Sequence, residues 1–356
     1  MPDLILDARK LGDYGIGSYI QEIFSGIISS DKFTCSALVM KDKGGLNLPR
    51  ERLIPCRSAN YELMEQFEIP WKLRAQRKAP FFSPHYLFPY LLKNPLIITI
   101  HDLIHFKFPQ FFKPVTKVKI AERFIMSAQK KASLIITVSE RSKADLCELF
   151  NFNPDQIAVV YNGVSEIFFT HPAKEFTPKR PYILHIGNHK PHKNLGLLLE
   201  VFEDFSREHQ EIDLILAGTP PGKDLKRQIE KLGISARVKT PGYLSQEQLI
   251  DLIDACLFFV FPSLYEGFGL PPLEAMSRGK AVLSSGGGSL SEILGTAAFY
   301  VDPADHHSML LGLRQLAGDP NLRNQLENLG FDHSRQFSWP KAVAQTISLI
   351  SNQFGA

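Results

Sequence analysis

The sequence predicts an α/β protein made of two doubly wound parallel-sheet domains in tandem, and three observations predict it. Short apolar runs bounded by Gly, Pro and Ser alternate with helix-period stretches along most of the chain. That rhythm stops once and restarts. Between the two halves lies a stretch, roughly SEIFFTHPAKEFTPKRP, that is rich in proline and charge and has neither period. At 356 residues, 44% hydrophobic and 22% charged, the chain is long enough for two cores of ordinary size.

In the first half the strand runs are LILDA, TCSALV, APFFSP, PLIITIHDL, SLIITVS and QIAVVYNGV, with helix-period segments such as SYIQEIFSGI between several of them. The second half restarts at PYILHIG and continues through IDLILAG, ARVKTPG, CLFFVFPS, KAVLSS and AAFYVDP. From DPADHHSMLLGLRQLAG onward the chain reads as helices, with Trp339 and Pro340 marking a break. The boundaries that follow are a first domain at 1–165, a linker at 166–180, a second domain at 181–335 and a closing helical segment at 336–356. Open α/β sheets bind ligands beyond the carboxyl ends of their strands, so a central cleft between the two domains is the expected site.

Composition narrows the class. The start, MPDLILDARK, runs straight into a strand without the pattern of an export signal, and the longest apolar run, ACLFFVF, is far too short to span a bilayer. Cys35, Cys56, Cys147 and Cys256 are widely separated and form no metal or redox pair, so reduced thiols and a cytoplasmic location are expected. Net charge is +3, but it is segregated: residues through Ser165 carry 22 basic and 16 acidic side chains, or +6, and the remainder 18 and 21, or −3. A basic half suits an anionic partner, whether nucleic acid, membrane surface or phosphorylated substrate.

The chemistry concentrates in SLYEGFGLPPLEAM, at the carboxyl end of CLFFVFPS. Gly267 and Gly269 permit a sharp turn and close approach to a ligand, while Pro271 and Pro272 suit the first turn of a helix. The amides of Gly267, Phe268, Gly269 and Leu270 are then expected to point at an anion. Glu274, placed in the first turn of that helix, would repel a phosphate and is better used to accept paired hydroxyl hydrogen bonds, as from a ribose. Glu266, in the turn, reaches the reacting end of the ligand.

A diphosphate also needs positive charge, and no Asp-x-Asp triplet suggests a bridging metal. In HIGNHKPHKNLGLLLEVF, Lys193 stands near the start of the next helix, with Lys190 and His192 as weaker candidates. In the first half, LILDARKLGDYGIGSYIQEIF gives strand, glycine loop and helix, but Gly12, Gly15 and Gly17 do not complete a dinucleotide fingerprint because Ile20 occupies the last place. His101 and Asp102 end a buried strand at the same side of the sheet. Basic stretches recur in IPWKLRAQRKAPFF and KPVTKVKIAERFIMSAQKK. In the second of these, Val118, Ala121, Ile125 and Ala128 make one apolar stripe, expected to face the core, and Lys113 and Lys117 lie largely elsewhere.

Taken together, GIGSYIQEI, FSPHYLFP, TIHDLIHFKFPQFF, TVSERSKADL, VVYNGV, HIGNHKPHKNLGLLL, VKTPGYLSQEQL, FPSLYEGFGLPPLEAM and QFSW resemble the family 4 glycosyltransferases, retaining enzymes of the GT-B fold with two Rossmann-like domains. The resemblance covers nearly the whole chain, and its bacterial members of mannosyltransferase type build polysaccharide and lipopolysaccharide. It implies that Glu266 contacts the donor sugar, Glu274 the nucleotide ribose and Lys193 the diphosphate. His101 matches the family's active-site histidine beside the sugar, Gly15 and Gly17 its donor-binding glycine loop near the diphosphate and acceptor, and the last helix is implied to cross back onto the first domain. Gly187 ends the phosphate-binding strand, but Asn188 stands where many members carry arginine, which shifts charge onto Lys193 and Lys190. A glycine triplet, Gly286 to Gly288, is a second departure.

The activity implied is transfer of a hexose, of mannose or glucose type, from a nucleoside diphosphate sugar to a glycan or lipid-linked hydroxyl, with no cofactor or metal and no nucleic acid partner. Peripheral membrane contact through the basic first domain, at the inner membrane face, is part of the same expectation. The competing readings are a nucleotide-sugar epimerase or NAD-dependent dehydrogenase on similar halves, with Asp42 as its ribose acid, and a non-catalytic nucleotide-sugar-binding scaffold.

Overall fold

Among the described residues thirteen strands pair into two all-parallel sheets, as the near-continuous apolar runs require of strands covered on both faces. The coordinates are a computed structural model, and the described residues are 1–13, 15–40, 45–59, 62–112, 114–172 and 178–355, without the side chains of Val115 and Lys117. Asp42 and Lys113 lie outside them, as does the side chain of Lys117. By contact the chain divides into two units, Met1–Gly163 with Trp339–Ala356, and Val164–Ser338.

The first unit contains β1 (Asp3–Asp7), β2 (Thr34–Met40), β3 (Leu53–Cys56), β4 (Phe81–Ser83), β5 (Leu96–Ile100), β6 (Ala132–Thr137) and β7 (Ile157–Val159), in the order β3-β2-β1-β4-β5-β6-β7. The strand β3 is not among the predicted runs. Its Pro55 is tolerated because the strand lies at the sheet edge. The core gathers Ile5, Phe81, Ile98 and Ile135, and the helix Val115–Lys131 adds Ile125 and Ala128 from its predicted stripe. The closing helix, Trp339–Phe354, belongs to this unit and packs on the helix Ile16–Ser29. Gly26 makes that approach possible: a Cβ there would fall 2.5 Å from Val343 Cγ2.

The second unit contains β8 (Tyr182–Gly187), β9 (Asp213–Gly218), β10 (Val238–Gly242), β11 (Phe258–Phe261), β12 (Val282–Ser284) and β13 (Phe299–Tyr300), in the order β10-β9-β8-β11-β12-β13. Residues 166–172, from the stretch expected to be a linker, group by contact with this unit, as do Val164 and Ser165 before them. Val164 N donates to Phe337 O at 3.0 Å, and Ile167–Thr170 forms one helical turn. Arg278, paired with Asp254 at 2.6 Å, donates to the carbonyls of Phe168 and His171 at 2.9 and 3.0 Å. Residues 173–177 lie outside the described ones.

Both sheets reverse their direction of growth once, between β1 and β4 and between β8 and β11. At such a switch point the loops leaving two neighbouring strands diverge and open a crevice at their carboxyl ends. Among the described residues no helix is long and apolar enough to cross a membrane. All four cysteines are free, and burial pushes the Cys56 and Cys256 thiols up to about 12.

Candidate active site

The switch point of the second unit brings together the two segments that carry the strongest motif residues. After β8 the chain runs through Asn188 to Lys190 into a single tight turn, Pro191–Lys193, and only then into the helix Leu195–Glu208. Lys193 therefore precedes the helix, separated from it by the left-handed Asn194 (φ 59°). Glu266 follows β11. Its Oε1 accepts a hydrogen bond from Lys193 Nζ at 2.6 Å, and the ammonium also stands 5.0 Å from the centroid of the Phe261 ring. The two side chains are only 10% and 14% exposed, so each is the other's counter-ion. Removing one partner of a pair so shielded leaves an uncompensated charge and typically costs about 3–5 kcal/mol.

Backbone contacts hold the two segments together. Leu264 N donates to His192 O at 2.8 Å, which ties the lysine turn to the glutamate turn. The glycine triplet supplies the other wall. Glu266 and Gly288 form a parallel bridge, Ser289 N donates to Glu266 O at 3.0 Å, and the Ser289 hydroxyl lies 3.1 Å from the same carbonyl and 3.2 Å from that of Phe268. A Cβ on Gly288 would fall 2.3 Å from Glu266 O, and one on Gly287 2.3 Å from Leu264 O. The triplet is thus a close-approach requirement of the turn that carries Glu266.

Gly288 is also left-handed (φ 67°), whereas a Cβ on Gly286 meets only ordinary contact at 3.9 Å from Ser291 Cβ. Gly288→Ala should therefore lower the melting temperature and turnover together, with about 1–2 kcal/mol from the backbone alone. Gly286→Ala should leave both near wild type. Parallel melts and rate assays check this, and equal behaviour of the two variants would contradict the packing account.

The helix after the turn is Leu270–Ser277, with Gly269 (φ 98°) as its N-cap and Pro271 and Pro272 in its first turn. Glu274 falls in the second turn rather than the first, because the helix begins only after the left-handed glycine. It does not balance the helix start. Its side chain is partly shielded from solvent, and burial alone, with no offsetting charge or hydrogen bond, pushes its carboxyl up to about 7.

The weaker candidates serve the local backbone. Asn188 Oδ1 accepts from Lys190 N at 3.3 Å, and Lys190 is exposed while its carbonyl accepts from Lys193 N at 2.9 Å. His192 is buried. Gly187 is approached so closely that a Cβ on its neighbour Gly218 would lie 2.0 Å from Gly187 O. One residue escapes the sequence reading: His185, inside β8, is buried, stacks on Phe261 at 5.5 Å and lies 3.1 Å, through Nδ1, from Val260 O. Burial holds its pKa down to about 3, so a neutral ring lies behind Lys193. The only signal was a histidine in the middle of an apolar run.

In the first unit, His101 sits just past β5. Its Nε2 lies 2.8 Å from Pro84 O, and its ring meets Tyr19 edge-on at 4.7 Å. A carbonyl only accepts, so Nε2 carries the proton and Nδ1 keeps a lone pair. Burial holds the ring below its ordinary pKa, hence neutral. Asp102 turns away to cap the next turn, its Oδ1 accepting from Ile104 N at 3.1 Å.

The glycine loop closes on itself, with Asp13 N donating to Lys10 O at 2.9 Å and Gly17 N to Asp13 O at 2.8 Å. Gly15 (φ 83°) is the N-cap of the next helix, and a Cβ on Gly17 would lie 2.7 Å from Leu11 O. Beneath the loop, at the carboxyl end of β1, Arg9 makes two bonds to Asp7 at 2.7 and 2.8 Å and lies 3.5 Å from Glu65. This buried triad is not legible in the sequence because Glu65 joins Asp7 and Arg9 only by folding. Among the described residues no group of three or more His, Cys, Asp or Glu side chains could hold a metal ion.

Comparison with known proteins bears on both units. Residues 167–332 match the family model described as glycosyl transferases group 1, and residues 75–166 the one described as glycosyltransferase family 4. The O-antigen chain mannosyltransferase B of Escherichia coli is 31% identical over 299 residues, covering 81% of this chain and 78% of that protein. Among solved structures, a sucrose-phosphate synthase from Thermosynechococcus elongatus superposes with a TM-score of 0.82 at 17% identity, each chain covered in full. The Anabaena protein HepE in complex with UDP-glucose does so with a TM-score of 0.79 at 17% identity, over 99% of this chain and all of that one. At these identities the structural likeness shows the fold, the two-domain GT-B arrangement of parallel sheets.

Proposed function

This chain belongs to the family 4 glycosyltransferases, and from that premise we propose that it moves a mannose-type hexose from a nucleoside diphosphate sugar to a hydroxyl of a glycan or lipid-linked acceptor, with retention at the anomeric carbon. The observation that carries the reading is the Lys193–Glu266 pair at 2.6 Å, at the switch point of the second sheet, eight residues before a carboxylate that has no partner of its own.

The roles follow from charge and geometry. Incoming diphosphate replaces Glu266 as the counter-ion of Lys193, and the amides of Gly267, Phe268, Gly269 and Leu270 add donors beside it. Glu266, released, accepts hydroxyl hydrogen bonds from the sugar. Glu274 accepts a pair from the ribose. As the glycosidic bond breaks, positive charge grows on the sugar ring and negative charge on the leaving phosphate, and Lys193 stabilises the latter. His101, through Nδ1, accepts a hydrogen bond from a hydroxyl of the reacting sugar or acceptor, within a first unit to which we assign acceptor binding, while Gly15 and Gly17 are assigned to the donor. The excess basic charge of that unit, +6 through Ser165, suits a peripheral contact with an anionic membrane at its inner face.

A thermal-shift screen against GDP, UDP, ADP, their sugar conjugates and NAD tests the reading. One nucleoside diphosphate should raise the melting temperature, by the equivalent of about 2.7 kcal/mol at a hundredfold excess over its Kd. A shift with NAD alone would overturn it in favour of a dehydrogenase.

A further inference from the structure

The helix Glu65–Lys72 of the first unit is apolar on two opposite faces. Its inner face puts Glu65, Ile69 and Leu73 into the unit, where they are 2%, 0% and 1% exposed. The outer face leaves Leu63, Met64, Phe67 and Trp71 at 85%, 64%, 64% and 63% exposure. Leu63 and Met64 belong to the same spiral, because Gln66 N and Phe67 N donate back to their carbonyls at 3.1 Å each. The patch extends further: Tyr90 N donates to the Gln66 side chain, which sets Tyr90 and Leu91, both 51% exposed, beside the helix. A contiguous exposed apolar patch of this kind marks a contact surface.

Its electrostatics choose the occupant. The helix's own carboxylates point away from the outer face: Glu65 is buried against Arg9, and Glu68 accepts from the backbone of Arg57 and Ser58 and pairs with Lys72. Cations remain. Arg74 stacks over the Trp71 ring at 4.4 Å and Lys131 over the Tyr90 ring at 3.7 Å, while Arg77 and Lys78 follow, exposed, in the next turn. A second copy of the chain docking face to face would set these cations against themselves. Anionic lipid headgroups would satisfy them, with the aromatic and aliphatic side chains entering the acyl boundary.

We propose that this face, Leu63 to Trp71 with Tyr90 and Leu91, is the surface by which the enzyme docks on an anionic phospholipid bilayer. The proposal rests on the reading that the acceptor is presented at a membrane. The lysine-rich helix Val115–Lys131, whose apolar stripe is expected to face the core, is the other basic element, but it sends Ile125 and Ala128 inward and, among its described large apolar side chains, exposes Ile120 and Met126 alone, at 46% and 47%.

The chain carries its own reporter. Of its two tryptophans Trp71 is exposed and Trp339 is 5% exposed, so a change of fluorescence on docking comes from Trp71. The whole 356-residue chain is mixed with vesicles of phosphatidylglycerol and phosphatidylethanolamine, and separately with phosphatidylcholine alone. Flotation with the first only, a blue shift of emission and protection from acrylamide quenching are expected. Phe67→Ser with Trp71→Ser should weaken flotation about tenfold or more, and Arg74→Glu with Arg77→Glu should reduce both binding and its salt sensitivity.

Unchanged flotation of the aromatic double variant, or no flotation of wild type, overturns the proposal, as does a concentration-dependent dimer that this variant abolishes. A nucleoside diphosphate thermal shift, measured on the same samples without lipid, keeps the outcomes apart. A shift without flotation refutes the docking face alone. Flotation without any shift refutes the transferase reading instead.

Discussion

Lys193→Ala should lower the transfer rate about 10²–10³-fold, the usual loss when one preorganised group that meets developing charge is removed. Near the diphosphate the sequence offers Lys190 as the other cation, but it is exposed, whereas Lys193 is 8% exposed and already aimed by its bond to Glu266. Low exposure matters because the same charge acts far more strongly where water does not screen it. Glu266→Ala should fall comparably, since it would remove the proposed sugar contact and leaves Lys193 without its resting partner. The double variant should be little worse than either single one, because the two residues work as one unit. Steady-state rates, read beside circular-dichroism melts that separate lost chemistry from lost folding, decide it. A Lys193→Ala enzyme within tenfold of wild type would remove the lysine from the mechanism.

Glu274→Gln should make the protein more stable at pH 8 and a poorer binder of donor. In the folded state the carboxyl is raised from 4.5 to about 7 by burial. Between those two values the folded protein retains a proton that the unfolded chain has released, so stability falls as pH rises through that window. Above pH 7 the whole penalty is present, and below about pH 4.5 it vanishes. Its ceiling is about 3 kcal/mol, lowered by whatever solvent reaches the carboxylate. Glutamine cannot ionise, so the variant should melt several degrees higher at pH 8 and together with wild type near pH 4.5.

Binding should move the other way. A neutral amide loses the charge-assisted hydrogen bonds to paired hydroxyls, which are worth about 1.5–3 kcal/mol, or roughly ten- to hundredfold in affinity. Wild-type affinity should itself improve as pH rises through 7. Titration calorimetry with the nucleoside diphosphate identified by thermal shift checks both. A variant that binds as tightly as wild type would take Glu274 out of the donor site, however the melts behave.

Much of this was legible because parallel strands covered on both faces leave long apolar runs. LILDA, PLIITI, SLIIT, PYILHIG, IDLILAG and CLFFVF all read directly as strands of the two sheets. The strand β3 was not legible, since LIPC is short, carries a proline and lies at an edge where neither face needs a full apolar row. The stretch 166–172 reads as linker because its contacts come from Arg278, more than a hundred residues away in sequence, which donates to the carbonyls of Phe168 and His171.

For the site, sequence alone determined which chemistry was present: two carboxylates around a glycine turn at the end of a buried strand, a lysine after the first strand of the same half, and a histidine at the end of another. Spacing along a chain is enough for that, because strand, turn and helix are local. Tertiary structure alone decided how those groups meet. It paired Lys193 with Glu266 across 73 residues, placed Gly288 where the Glu266 carbonyl leaves no room for a methyl group, left Glu274 half-buried with its carboxyl raised, and turned Phe67 and Trp71 outward while Ile69 went in. Those outcomes depend on distance and solvent exposure in the folded chain, which a linear pattern does not carry.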